Sequence, residues 1–354
     1  MEDLNGYFAV HSQGLGHASR AIALARGLTA RRPDIGLLFL AGSPALDLVV
    51  SNGFDALTFP PVPDWPERDG SLDPVWRWYA EYARYLRLAR RFLRKEADWR
   101  FNRFLISDGE IASVREAIRH GVPTAMVLHT VRHDFARDAV SRAVEGAGNA
   151  WFARLARKID LILAVDDTPP WPNVRRIEPI ARPFSAPREV LRERLVFRKR
   201  TVLVTAGGTG IGGFLVGEAV DAFRDLHLED TSMVVVSGPK LRVEPASGVY
   251  VYGFVPNLQD MILAADLVVT TAGKGTIAEA HAAGTPVIAI PPKGHVEMER
   301  NAARLGYSHD DVRRLRRLIP ETLDRGRQNP RPLGNERAVD LLLEFLEGRV
   351  SEKR

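Results

Sequence analysis

The sequence predicts an α/β protein built from two doubly wound domains, each a parallel sheet with helices on both faces. Short β-branched apolar runs alternate with segments of helical periodicity along most of the chain. Glycine-rich loops follow several of these runs, as they do at the ligand-binding edge of such sheets. The length of 354 residues suits two domains of roughly 150–200 residues each.

Composition excludes several classes of function. The chain has no cysteine, which rules out disulfides, thiolate metal sites and cysteine nucleophiles. It lacks an apolar run of about 18 residues that could span a membrane. Glu2 and Asp3 argue against a signal peptide. We therefore expect a cytoplasmic protein, and its formal charge of +5 is modest.

The first half starts with a buried strand at 6–10 and a helix at 17–29, whose alanine, leucine and isoleucine residues recur at helical spacing. The same criteria predict, in order, strand 35–40, helix 43–51, strand 56–59, a loop at 60–74, strand 104–108, helix 111–120, strand 124–128, helix 134–158 and strand 161–165. This alternation predicts a parallel sheet that holds ligands at the carboxyl ends of its strands.

The second half repeats the pattern. Its predicted elements are strand 201–205, a glycine turn at 207–213, helix 214–223, strands 233–236 and 249–255, helix 258–264, strand 267–271, a glycine turn at 272–276, helix 277–283, strand 287–290 and a helical tail from 310. Pro183 and Pro187 mark a linker. The predicted domains are 1–180, a linker at 181–198, 199–335, and a C-terminal helix at 336–354 that packs back on the first domain.

The loop between the first strand and the first helix is a candidate site. Gly14 and Gly16 let the backbone approach a ligand, but Ser19 breaks the dinucleotide fingerprint G-x-G-x-x-G. His17 stands at the helix start, which disfavours the imidazolium, so we expect a neutral ring available as a base. A capping role for His17 is the alternative.

Asp108 ends a predicted buried strand, where doubly wound sheets place ligands. A hydrogen bond to His17 would orient the imidazole and stabilise its protonated form. Alternatively, Asp108 caps the helix that starts near Ile111. Glu110 competes for either role, and His129 is a weaker candidate.

The second glycine turn, 272–276, also lies between a strand and a helix. The free N–H groups of such a helix start bind anions, so we expect a nucleotide phosphate there. Glu279, one turn into the helix, is placed to bind a ribose diol. The turn at 207–212 is not a P-loop, because no G-K-[ST] follows it.

Three motifs carry a resemblance to a known family. They are Gly14-Leu15-Gly16-His17-Ala18-Ser19-Arg20, Gly253-Phe254-Val255, and Gly273 to Glu279 with Asn301 beyond. The chain resembles, over nearly its whole length, GT-B glycosyltransferases of the group that holds the bacterial cell-wall N-acetylglucosaminyltransferase (family 28) and the UDP-sugar glycosyltransferases. The resemblance implies that the first domain holds the acceptor and the second the nucleotide sugar, a substrate rather than a cofactor.

Site residues follow from this resemblance. His17 would be the catalytic base and Asp108 its partner, with Gly14, Gly16 and Arg20 in the acceptor and diphosphate loop. The nucleotide-sugar site would comprise Thr209, Gly210, Phe254, Val255, Gly273, Lys274, Gly275, Thr276, Glu279, His295, Glu297 and Asn301. One position departs from the family: Met298 stands where relatives carry a glutamine that reads donor-sugar hydroxyls. Because a thioether cannot replace an amide, His295 or Glu297 would take over.

The implied reaction is an inverting displacement without a metal, in which helix N-termini meet the charge that develops on the diphosphate. The donor sugar would be a hexose or an N-acetylhexosamine, and the acceptor a lipid-linked or cell-surface glycan. The sequence has no D-x-D pair. A UDP-sugar 2-epimerase and a non-catalytic nucleotide-sugar-binding protein are the alternatives.

The segment 75–104 is aromatic and basic. Its apolar residues form one helical stripe that consists of Val75, Trp78, Tyr82, Tyr85, Leu86, Ala89, Phe92 and Leu93. Such a helix could lie on an anionic membrane at the cytoplasmic face. Packing of the stripe on the sheet is the slightly favoured alternative. Nucleic-acid binding ranks third, because no such module is recognisable.

Overall fold

The computed structural model describes residues 4–64, 67–68, 71–72, 75–132, 134, 136, 138–166, 169–207, 212–238, 241–244 and 247–351. The chain forms two compact units. The first contains Met1–Pro66, Asp73–Ile180 and Leu333–Arg354, and the second contains Glu67–Leu72 and Ala181–Pro332. Each unit is built on a parallel sheet, so the predicted α/β class is confirmed.

The elements up to residue 180 are β1 (Leu4–Val10), α1 (Gly16–Arg31), β2 (Ile35–Ala41), α2 (Ala45–Ser51), β3 (Ala56–Thr58), β4 (Glu67–Arg68), β5 (Ser71–Leu72), α3 (Val75–Glu96), β6 (Leu105–Asp108), α4 (Ile111–Arg119), β7 (Thr124–Leu128), α5 (Ala139–Ala156), β8 (Leu161–Ala164) and β9 (Val174–Arg176). The short pair β4 and β5 is antiparallel. The large sheet has the order β3-β2-β1-β6-β7-β8-β9, and all its neighbouring strands run parallel.

The order of this sheet creates a switch point between β1 and β6. The chain runs outward from β1 to β3 and then returns to the other side of β1, and doubly wound sheets bind ligands at such a point. The register pairs Val10 with Asp108, and the amide of His11 donates to the carbonyl of Asp108 at 3.0 Å. The candidate loop and the candidate carboxylate therefore lie side by side.

The remaining elements are α6 (Arg188–Arg194), β10 (Arg200–Thr205), α7 (Gly213–Leu226), β11 (Thr231–Val236), β12 (Val249–Tyr252), α8 (Leu258–Ala264), β13 (Leu267–Thr270), α9 (Lys274–Ala283), β14 (Val287–Ala289), α10 (Val296–Ala303), α11 (Leu315–Arg325) and α12 (Asn335–Ser351), with a 3₁₀ helix at His309–Arg314 before α11. The second sheet has the order β12-β11-β10-β13-β14. Its switch point lies between β10 and β13, which is where doubly wound sheets bind ligands.

The buried faces explain why these elements form. Residues 7–10 of β1 are at most 1% exposed, as expected for a strand covered by helices on both faces. The predicted apolar stripe of α1 is buried. Gly27 of α1 lies against α12, where an added Cβ would meet Val339 Cγ2 at 2.6 Å, so only glycine allows this close packing.

Several boundaries differ from those predicted. The segment 181–198 is not a bare linker but part of the second unit, since α6 buries Leu191 in the same apolar cluster as Met261. Strand β12 ends at Tyr252 instead of reaching Val255. Helix α5 begins at Ala139, because the Asp138 carboxylate caps it by accepting from the amide of Ser141 at 2.8 Å.

Helix α3 packs its predicted stripe into the core of the first unit, apart from Val75, whose side chain lies outside what the structure describes. Trp78, Tyr82, Tyr85, Ala89 and Leu93 are all at most 9% exposed and share one apolar cluster. The rings of Trp78, Tyr82 and Tyr85 are therefore buried in the protein core, as the alternative of packing on the sheet predicts. The arginines at 77, 84, 87, 91 and 94 are exposed on the opposite face. Among the helices of the described ranges, none is long and apolar enough to cross a membrane.

Candidate active site

His17 lies in the first turn of α1, directly after the loop that follows β1. Gly14 has a φ of +71°, a left-handed conformation that favours glycine, whereas an added Cβ on Gly16 would meet no atom within 4 Å. Helix α1 has Leu15 at its N-cap and no side-chain cap hydrogen bond. His17 is therefore not the capping residue of this helix.

The structure brings His17 and Asp108 together. His17 Nδ1 lies 2.6 Å from Asp108 Oδ1, and the carboxylate is fully buried. Because an ionised carboxylate only accepts hydrogen bonds, His17 Nδ1 carries the proton and Nε2 keeps the lone pair. The His17 side chain is 27% exposed. The ring is thus oriented like a general base whose acceptor nitrogen is Nε2.

Glu110, the other carboxylate considered as a partner of His17, instead binds the start of α4. Its Oε1 accepts from the amide of Ala112 at 2.8 Å, its Oε2 from the amide of Ser113 at 2.6 Å, and the Tyr85 hydroxyl donates to Oε1 at 2.7 Å. Glu110 therefore caps α4. This leaves Asp108 free of the capping role.

Arg20 has different partners from those implied by the resemblance, which placed it in the acceptor and diphosphate loop. The residue lies in α1 and is 3% exposed. Its Nε donates to Asp108 Oδ2 at 2.6 Å, its Nη2 to Asp108 Oδ1 at 2.5 Å, and its Nη1 lies 2.7 Å from His129 Nε2. The guanidinium is thus engaged by a buried carboxylate and a histidine.

Two opposing effects act on Asp108. Burial raises the pKa of its carboxyl, but the Arg20 guanidinium and the hydrogen bonds from His17 and Arg20 outweigh burial, so the pKa lies below its ordinary value. Asp108 is consequently ionised at neutral pH and can stabilise a protonated His17.

Gly109 and two further histidines surround the His17 ring. The ring centroids of His11 and His129 lie 5.0 Å and 6.4 Å from that of His17. Gly109 has a φ of +71°, and an added Cβ would lie 2.9 Å from His17 Cε1. Sequence reasoning missed Gly109, although a glycine between two carboxylates at a strand end is a signal for such a turn.

In the second unit, helix α9 begins at Lys274, so the glycine turn predicted at 272–276 is partly the first helical turn. Gly273 is its N-cap and no side chain caps it, which leaves the first amides suited to an anion. Ala272 is buried with a φ of +66°, an unusual conformation for a residue other than glycine. Asn301 Nδ2 donates to the carbonyl of Ala272 at 3.1 Å. Asn301 thereby supports this turn.

Glu279 is 4% exposed and pairs with Arg182, whose Nε lies 3.1 Å from its Oε1. Burial raises the pKa of the Glu279 carboxyl, although Arg182 opposes this. Arg182 Nη1 also donates to the carbonyl of Pro256, directly after Phe254 and Val255, which are half-buried. Arg182 thus links the segment predicted to meet the nucleobase with the carboxylate predicted to bind the ribose.

The segment that departs from the family begins α10. His295 is its buried N-cap, with Nδ1 3.4 Å from the amide of Met298, and burial lowers the pKa of its imidazole. Met298 packs against the apolar cluster of the second unit, and Glu297 is half-buried. Gly275 and Thr276 are half-buried in α9. Thr209 and Gly210 lie outside the described residues.

Comparison with known proteins gives the chain its family context. Residues 201–322 match the glycosyltransferase family 28 C-terminal domain. An uncharacterized glycosyltransferase of Methanosarcina acetivorans is 28% identical over 316 residues, which are 83% of this chain and 79% of the relative. The UDP-N-acetylglucosamine–N-acetylmuramyl-(pentapeptide) pyrophosphoryl-undecaprenol N-acetylglucosamine transferase of Clavibacter michiganensis is 28% identical over 302 residues, which are 81% and 76% of the two chains.

Solved structures share the fold. The calicheamicin glycosyltransferase CalG4 superposes with a TM-score of 0.60 at 14% identity, covering 99% of this chain and 100% of that one. Streptomyces sp. SF2575 glycosyltransferase SsfS6, complexed with thymidine diphosphate, gives a TM-score of 0.62 at 18% identity, covering 96% and 99%. The protein is a glycosyltransferase with the GT-B fold.

The matched domain of this glycosyltransferase contains the glycine turn of α9, Glu279 and Asn301. His17, Arg20 and Asp108 lie in the first unit, outside the matched residues. The family match therefore does not cover the network around His17.

Proposed function

We propose that this glycosyltransferase transfers a hexose or N-acetylhexosamine from a UDP-sugar to an acceptor hydroxyl, with inversion and without a metal ion. The observation that carries the proposal is the contact of 2.6 Å between His17 Nδ1 and the buried Asp108, which leaves Nε2 of the ring as the proton acceptor. A glycosyltransferase needs such a base because a sugar hydroxyl is a poor nucleophile until its proton is removed.

In the proposed reaction, His17 Nε2 takes the proton of the acceptor hydroxyl as its oxygen attacks the anomeric carbon of the donor. The bond from that carbon to the diphosphate oxygen breaks, and the nucleoside diphosphate leaves with the electron pair. Attack opposite the leaving group inverts the anomeric configuration. Asp108 stabilises the imidazolium formed during this step.

The charge that develops on the diphosphate would be met by the first turn of α9 and by Lys274. The uncapped helix start offers backbone N–H groups and the positive end of the helix dipole. These groups supply stabilisation that many enzymes take from a metal ion, which supports a metal-independent reaction. We propose that the UDP-sugar is the donor substrate and that the enzyme uses no cofactor.

Relatives support the choice of donor and acceptor. The Clavibacter michiganensis relative is named for UDP-N-acetylglucosamine and for a pyrophosphoryl-undecaprenol acceptor. We therefore propose a UDP-sugar and a lipid-linked or cell-surface glycan acceptor met at the cytoplasmic face of a membrane. With the aromatic stripe of α3 buried, peripheral contact would depend on its exposed arginines.

A nucleotide-sugar screen tests the proposal. We expect UDP, and UDP-sugars more than other nucleotide sugars, to raise the melting temperature, and one UDP-sugar to be slowly hydrolysed when no acceptor is present. Thymidine diphosphate serves as the competing ligand, because SsfS6 was crystallised with it. Stabilisation by thymidine diphosphate alone would contradict the proposed donor, and the absence of any nucleotide effect would contradict the function. Production of an epimeric UDP-sugar would identify a 2-epimerase instead.

A further inference from the structure

We propose that Arg20 is a positioning residue: it locks the carboxylate of Asp108 and thereby sets the tautomer and orientation of His17. The inference rests on the proposed function, because it explains how the base of that reaction is held. It assigns Arg20 to the acid–base network instead of to the diphosphate.

Arg20 binds the Asp108 carboxylate through a bidentate contact. Nε and Nη2 of the guanidinium donate to the two different oxygens of the carboxylate, at 2.6 Å and 2.5 Å. A bidentate pair of this kind fixes the carboxylate plane as well as its position. With its plane fixed, Asp108 presents Oδ1 to His17 Nδ1 at 2.6 Å.

The positive charge of Arg20 also keeps the buried Asp108 carboxylate ionised. Asp108 is fully buried, and an isolated buried carboxylate would favour its neutral, protonated form. Arg20, itself 3% exposed, supplies the opposite charge within hydrogen-bond distance. An ionised Asp108 can only accept, so His17 must donate through Nδ1 and keep the lone pair on Nε2. Without Arg20, a protonated Asp108 could donate to Nδ1 and place the ring proton on Nε2, which would disable the base.

His129 contacts the remaining nitrogen of the guanidinium, Nη1. Arg20 Nη1 lies 2.7 Å from His129 Nε2 and 3.1 Å from His129 Nδ1, and a guanidinium can only donate, so one of these ring nitrogens is the acceptor. His129 follows β7 and Asp108 ends β6, so the guanidinium is held between two neighbouring strands of the sheet. This third contact orients Arg20. It also occupies Nη1, which would otherwise be directed to a ligand.

The test combines Arg20→Met, Arg20→Lys and a control, Arg26→Met. Arg26 lies on the same helix, is exposed, and donates to Asn52 Oδ1, a residue that is not part of the network. Long-range ¹H–¹⁵N spectra of the labelled protein report which ring nitrogen of His17 carries the proton. The same variants are assayed for kcat with the donor identified in the screen and for UDP affinity.

We expect Arg20→Met to move the ring proton of His17 from Nδ1 towards Nε2 and to lower kcat about 10- to 100-fold, with the Kd for UDP within about twofold of wild type. Arg20→Lys should retain the tautomer in part and recover part of kcat. Arg26→Met should behave as wild type. Adding Arg20→Met to Asp108→Asn should cost little further activity, because Arg20 acts through Asp108.

An unchanged His17 tautomer in Arg20→Met would overturn the inference. Weaker UDP binding with the tautomer preserved would instead restore Arg20 as a diphosphate ligand. If Arg20→Met does not fold, Arg20→Lys and His129→Gln provide the same readout, and an unchanged tautomer in both would again overturn the proposal. The spectra require no substrate, so a failure of the proposed function, seen as no nucleotide binding, is distinguishable from a failure of this inference.

Discussion

Gly109 is the residue against which the His17 ring packs. Its left-handed φ of +71° turns the chain between the buried Asp108 and the capping Glu110, and its missing side chain leaves room for the imidazole. An added Cβ would approach His17 Cε1 to 2.9 Å and Nδ1 to 3.1 Å, so either the ring or the turn would have to move. The space that Gly109 leaves therefore helps to position the imidazole of His17, the proposed base.

We predict that Gly109→Ala lowers kcat about 100-fold, because a shift of the base by an ångström is costly, while UDP affinity is retained. Gly121→Ala is the matched control, since Gly121 has a φ of +66° but an added Cβ would meet no atom of the described residues within 4 Å. Both variants should lose about 1–2 kcal/mol of unfolding free energy from backbone strain. Equal kcat values in the two variants would show that the contact with His17 is unimportant.

The lowered pKa of Asp108 also predicts a pH-dependent contribution to stability. A carboxyl whose folded-state pKa lies below its unfolded value of about 3.9 stabilises the protein above that value. This contribution is lost as the pH falls through the folded-state pKa. Urea unfolding at a series of pH values should therefore show the largest difference between wild type and Asp108→Asn above about pH 5, narrowing below about pH 4. A difference that stays constant down to pH 3 would contradict the ionised pair.

At the scale of single elements, α3 shows how one pattern allows two interpretations. Its period was predictable from the aromatic and arginine spacing, but the helix ends at Glu96 instead of continuing through the predicted segment 75–104. Amphipathicity alone does not distinguish a core from a membrane as the apolar partner. The structure resolves this for the stripe, which packs with Tyr7, Leu105 and Met126 in the core of the first unit.

Two leucines of α3 test its orientation. Leu93 is 1% exposed and Leu88 is 54% exposed. We predict that Leu93→Ala lowers the free energy of unfolding by about 2–5 kcal/mol, because it leaves a cavity in the core. The same substitution at Leu88 should change it by less than about 0.5 kcal/mol. Denaturant unfolding of the two variants measures both, and similar losses at the two positions would mean that the helix is rotated.

The start of α9 shows a limit of sequence reasoning at this scale. Gly273 and Gly275 predicted a turn because glycine is unfavourable in helices, yet the helix already begins at Lys274. The supporting bond from Asn301 to the carbonyl of Ala272 joins residues 29 positions apart, so no local pattern indicates it. The strand before the turn and the helix after it were predictable, but the hydrogen bond from Asn301 that stabilises the turn was not.

At the scale of the whole molecule, the order of the strands decides what meets in the candidate site. His17 and Asp108 could be nominated from sequence because His17 comes after one buried strand of a doubly wound sheet and Asp108 ends another. That β1 and β6 are neighbours, with Val10 opposite Asp108, depends on long-range pairing. The partners Arg20 and His129 depend on that pairing too, so the resemblance assigned Arg20 elsewhere and His129 was only a weak candidate.

The most direct test of the account compares sugar transfer and UDP binding in His17→Ala, with the exposed His227→Asn as the control. His227 has a φ of +45°, which asparagine tolerates. We predict that His17→Ala lowers kcat about 10²- to 10⁴-fold, the usual contribution of a general base, with the Kd for UDP unchanged. Transfer at the wild-type rate, or loss of UDP binding together with activity, would contradict His17 as the catalytic base.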